Sequence, residues 1–153
     1  MRRIFLFFLS LAISASAFAL NGQRVVKQGV LPHTGQAVVV AEGDLEPRSI
    51  GSYTVHLYAK NTAYPHDHFV SGIVHTRNGV VDALRFEDID GDSKPEIVVI
   101  IRYTGSGGFI SADAFAPHGT TLRLVSSVAG LPSSQDPIQA LIQTLRHKHS
   151  KRH

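Results

Sequence analysis

From Ala37 to Ser126 the chain is punctuated into short apolar runs, most of them one strand long and rich in Val and Ile, with Gly, Pro, Asn or Asp between them. A turn roughly every ten residues constrains the fold more than any other feature of the chain. β-Branched side chains fit a pleated surface better than a helix. Ala37–Ala41 is valine-rich and is the one strand expected within Asn21–Pro47. Ser52–Ala59 alternates, with Tyr53, Val55, Leu57 and Ala59 on one face and Thr54, His56 and Tyr58 on the other, the pattern of a half-buried strand. Phe69–Thr76 and Val80–Phe86 flank Arg77-Asn78-Gly79, and Asn-Gly between two such runs predicts a tight hairpin. Glu96–Tyr103 is continuous rather than alternating, which predicts a central strand covered on both faces. Phe109–Phe115 and Thr120–Ser126 follow, with Pro117-His118-Gly119 turning the chain between them.

One helix is expected, over Ser133–Leu145. Ser134 or Asp136 can cap it, and Pro137 suits the first helical position. Ile138, Leu141, Ile142 and Leu145 make an i, i+3, i+4, i+7 stripe for packing on a sheet. From about Arg146 the chain is a basic, His-rich tail, expected to fray. The sum is an all-β fold, an antiparallel β-sandwich or barrel of six or seven strands with one short C-terminal helix.

The first 19 residues stand apart. Arg2 and Arg3 precede an apolar stretch from Ile4 to Ile13, and Ala17-Phe18-Ala19 offers the small residues of a cleavage site. These are the parts of a secretory signal peptide, too short in its apolar stretch for a membrane span. Removal of residues 1–19 leaves 20–153 as a single domain with no further segment long and apolar enough to span a membrane. Export alone does not choose between periplasm and medium, and a bacterial envelope, hence the periplasm, fits the short signal. The chain holds 15 Lys+Arg against 12 Asp+Glu. Two of the basic residues leave with the leader, so the charge gives no support to nucleic-acid binding. There is no Cys. An exported domain of this kind must be held by packing and hydrogen bonds, and thiol chemistry is excluded.

Two loops and the histidines could carry function. Thr104-Gly105-Ser106-Gly107-Gly108-Phe109 lies between two strong strands where two residues would suffice. Its glycines make a tip with little bulk, Ser106 both donates and accepts hydrogen bonds, and Phe109 adds an aromatic face. Nothing in it follows the phosphate-loop or nucleophile-elbow patterns. In the second loop Asp88, Asp90, Asp92 and Glu96 occupy alternate positions that could converge on Ca²⁺. Ser93 and Val99 stand where an EF-hand needs Gly and Glu, and a turn stabilised by Asp side chains is the expected reading. His66 and His68, with His56, His75 or His118, could supply zinc ligands, but no spacing demands it. Ser106, His118 and Asp113 are the components of a hydrolase triad without its sequence context. No catalytic residue, metal or cofactor is assigned, and the chain is not expected to be an enzyme.

Several stretches resemble the family of periplasmic inhibitors of invertebrate-type (I-type) lysozyme. They are Ser49-Ile50-Gly51-Ser52-Tyr53-Thr54-Val55-His56-Leu57-Tyr58, Phe86-Glu87-Asp88-Ile89-Asp90-Gly91-Asp92, Pro95-Glu96-Ile97-Val98-Val99, Arg102, Gly105-Ser106-Gly107-Gly108-Phe109 and Ser111-Ala112-Asp113-Ala114-Phe115. The resemblance implies a proteinaceous inhibitor that protects a Gram-negative cell wall by plugging the lysozyme cleft with a Ser-Gly-x-Tyr loop. That motif falls on Ser106, Gly107, Gly108 and Phe109, where Phe replaces Tyr. It also implies lysozyme as partner and the possibility of a homodimer. The alternative from the residues alone is a calcium- or carbohydrate-binding envelope module using Asp88–Glu96.

Overall fold

A computed structural model describes residues 24–61 and 63–151. Residues 1–19, where a signal peptide is expected, lie outside the described residues. Eight strands run in order: β1 (Arg24–Val30), β2 (Ala37–Glu42), β3 (Ile50–Tyr58), β4 (Phe69–Asn78), β5 (Val80–Glu87), β6 (Glu96–Arg102), β7 (Phe109–His118) and β8 (Thr121–Pro132), followed by α1 (Pro137–Ser150). They form two four-stranded antiparallel sheets, β1-β2-β3-β4 and β5-β6-β7-β8, each a meander. The sheets stack as a sandwich, with β1 beside β5 and β4 beside β8. Among the described residues no helix is long and apolar enough to cross a membrane.

The alternation of β3 points Tyr53, Val55 and Leu57 inward, and all three are fully buried. They meet Val38 and Val40 of β2 and Ile97, Val99 and Ile101 of β6, with Phe115 of β7, in one core between the sheets. β6 is covered on both faces, as its unbroken apolar run implies. Val98 and Ile100 point the other way and join Ala112, Ala114, Leu141 and Leu145 in a second core under α1. The stripe on α1 thus packs on the sheet. Asp136 caps the helix by accepting from the Ile138 amide, with Pro137 in the first turn.

Three expectations are corrected. Asn78-Gly79 is not a hairpin: β4 pairs with β3 and β5 pairs with β6, so the chain changes sheets at Gly79. The Gly79 amide donates to the Ser49 carbonyl (2.8 Å), continuing the first sheet's ladder to the point of departure. At φ 122° it is in a conformation that glycine favours, and a Cβ there would lie 2.1 Å from the Arg102 carbonyl oxygen. Bends that let a strand leave one sheet for another are how sandwich corners are made. Second, β1 exists although its Arg24, Lys27, Gln28 and Gly29 obscure any alternation. It is an edge strand, and its register slips between Val25 and Lys27. Third, the expected frayed tail is helical as far as Ser150.

Candidate functional site

β6 and β7 pair from Ile97↔Phe115 to Arg102↔Ile110. Past that ladder the Tyr103 amide donates to the Phe109 carbonyl (2.9 Å), closing the base of a tip made of residues 104–108. Every residue from Arg102 to Phe109 is exposed. The sandwich therefore holds the two stems rigidly in its most buried strands and leaves the tip in solvent. Gly108 takes φ 62°, and a Cβ on Gly107 would fall 2.4 Å from the Phe109 ring. Phe109 lies over the backbone of Gly107, so the ring and the glycine amides share one surface. On the other stem the Tyr103 ring lies close to Gly105, 3.0 Å from where a Cβ would be. Arg102, below, donates to Asp82 (2.6 Å), which holds its guanidinium above the ordinary basic range.

The Asp-rich loop is at the other end of β6. Asp88 accepts from the amides of Gly91 and Ser93, Asp90 from Asp92, and Asp92 from Lys94. These are the side chain-to-backbone bonds of the expected turn. Oxygens of Asp88, Asp90 and Glu96 also lie within 4.8 Å of one another, with Asp92 outside that group. Glu96 is buried and accepts from the Ile89 amide (2.7 Å). Burial, then the neighbouring charges of Asp90 and Asp92, push its carboxyl above the usual range against the pull of the Ile89 and Asp90 amides.

The other sequence candidates do not assemble. Ser106 lies before the start of β7 and His118 is its last residue, and at about 3.3 Å per residue the strand is roughly 30 Å long. Asp113, between them, is buried and accepts from the hydroxyls of Tyr53 (2.7 Å) and Ser127 (2.6 Å), with His75 Nδ1 at 3.4 Å. It is a cross-sheet tie. His66 and His68 sit in a turn rather than a strand, and the His66 ring packs on Tyr58 while His56 packs between Tyr58 and Phe69. Among the described residues no group of histidines converges as metal ligands.

The described residues thus form a β-sandwich that carries an exposed glycine-rich tip on buried stems. Residues 23–145 match the family of periplasmic lysozyme inhibitors of I-type lysozyme, and the chain belongs to that family. Two solved structures of the Aeromonas hydrophila inhibitor agree, one of it alone and one of it in complex with Meretrix lusoria lysozyme. Both are 44% identical over 75% of this chain, with TM-scores of 0.70 and 0.69 and coverage of 97% and 93% of their own chains. No curated protein matches the chain. The function of the family is inhibition of lysozyme, not catalysis, and its compartment is the periplasm.

Proposed function

We propose that this protein inhibits an I-type lysozyme by seating Gly105, Ser106, Gly107, Gly108 and Phe109 in the active-site cleft. The observation that carries the reading is the exposed glycine tip on closed, buried stems. A glycoside hydrolase cleft of this class holds two carboxyl groups that act on substrate. Ser106 Oγ and the glycine amides are donors that can approach such carboxyls without side-chain obstruction, while Phe109 packs on the cleft wall. The stems order the tip before binding, which lowers the entropy lost on association.

The test is titration of an I-type lysozyme with the parent and three variants, with folding checked by circular dichroism. A hydrogen bond to a charged group is worth about 1.5–3 kcal/mol, so Ser106→Ala should weaken inhibition roughly ten- to hundredfold. Phe109→Ala should weaken it by removing an aromatic anchor. Phe109→Tyr restores the residue of the resembled motif and should inhibit as well or better. If Ser106→Ala and Phe109→Ala both inhibit like the parent while folded, the loop is not the inhibitory element.

A further inference from the structure

The tip carries a second aromatic residue. Ladder register continues past Arg102↔Ile110 through the Tyr103–Phe109 hydrogen bond, which makes Tyr103 and Phe109 a directly opposed pair. Directly opposed residues on antiparallel strands present their side chains on one face. Both rings reach forward, Tyr103 toward Gly105 and Phe109 over Gly107, so they flank the backbone that carries Ser106. They are similarly exposed, 41% and 42%, and neither belongs to a core. The pair differs in one atom. Phe109 has no polar group, whereas Tyr103 carries a hydroxyl that makes no hydrogen bond among the described residues.

An aromatic ring held half in solvent at the rim of a protruding tip, with a free donor and acceptor at its end, is the kind of group that anchors protein interfaces. We infer that Tyr103 is a second binding residue of the inhibitory tip. Its hydroxyl hydrogen-bonds the polar lining of the partner's saccharide cleft, and its ring packs on the stretch of wall beside that covered by Phe109. This rests on the reading of the tip as the inhibitory element. It assigns the tip's phenol to the β6 stem, where the β7 stem has phenylalanine.

The experiment compares inhibition of an I-type lysozyme by the parent, Tyr103→Phe, Tyr103→Ala and Ser106→Ala, with melting temperature and near-ultraviolet circular dichroism as controls. Tyr103→Phe keeps the ring beside Gly105 and removes only the hydroxyl. It should weaken inhibition about two- to tenfold, the loss expected for one neutral hydrogen bond. Tyr103→Ala should weaken it further, and both losses should lie mainly in the dissociation rate. Full inhibition by both Tyr103 variants, with Ser106→Ala impaired, would overturn the role of Tyr103 and leave the tip reading intact. Loss in Tyr103→Ala with none in Tyr103→Phe would overturn the hydroxyl contact and reduce the residue to a packing group. Full inhibition by all three folded variants would remove the tip itself from the interface.

Discussion

Two of the buried carboxylates, Asp113 and Glu96, sit under opposite conditions. Asp113 sits between the sheets with hydroxyl donors from Tyr53 and Ser127 and the His75 ring beside it. That environment pushes the Tyr53 hydroxyl far above its ordinary range, through burial first and the Asp113 charge second, so the phenol stays a donor. Glu96, the first residue of β6, instead lies close to the carboxyls of Asp88 and Asp90. A carboxyl raised above its unfolded value stabilises the fold fully below the ordinary carboxylate range. That contribution is lost as pH rises through the unfolded and then the folded value, and at neutral pH the ionised group is a net cost. Glu96→Gln keeps an oxygen for the Ile89 amide and never ionises. It should melt at or above the parent at neutral pH, with the gap closing as pH falls to about 3. Thermal melts across that range are the measurement. A variant that melts several degrees lower at neutral pH would show instead that the ionised group is needed, as it would be by a cation held with Asp88 and Asp90.

The elements differ in how far local sequence specified them. β3, β6 and the α1 stripe were legible because one periodicity matched one burial pattern. β1 was not, since an edge strand needs few inward residues and its polar ones reveal no period. Asn78-Gly79 misled for a different reason: the residues that favour a hairpin also favour a corner, and only pairing with β3 and β6, remote in sequence, decides between them. The corner is held by Arg77, fully buried, which donates to the carbonyls of Pro47, Arg48, Ser52 and Gly79. Glu46 completes the clamp by accepting from the Ser52 amide and hydroxyl, bonds that, with nearby Arg77, hold its carboxyl below the usual range. Gly79→Ala should therefore be strongly destabilising. A side chain at this positive φ costs about 1–3 kcal/mol, and the clash with the Arg102 backbone adds to it. Denaturant unfolding would measure the loss. A variant as stable as the parent would mean the corner relaxes freely. As for the proposed site, the glycine tip was readable as a loop too long for its strands. Tyr103 was not, because at the end of a β-branched run it read as one more strand residue.

At the scale of the whole molecule the sandwich separates two specialised ends. The tip projects from one end of β6 and β7, and the Asp-rich loop closes the other, across about 23 Å of β6 at 3.3 Å per residue. The strand between is among the most buried in the protein, with Ile97, Val98 and Val99 wholly inaccessible. A close-packed strand of this kind holds the tip in place, but nothing in its hydrogen bonding offers two alternative arrangements through which one end could report on the other. Changes at the two ends should therefore be independent. Asp88→Ala removes the acceptor for the Gly91 and Ser93 amides and should lower stability by about 1 kcal/mol, leaving lysozyme inhibition unchanged. Ser106→Ala should do the reverse, weakening inhibition at constant melting temperature. The double variant should show the sum of both effects within about 0.5 kcal/mol, as expected for sites far apart with no shared partner. Inhibition titrations and melts on the four proteins of the cycle measure this directly. If Asp88→Ala, still folded, weakens inhibition tenfold, the ends are coupled through β6 and the tip's shape depends on the turn that begins the strand.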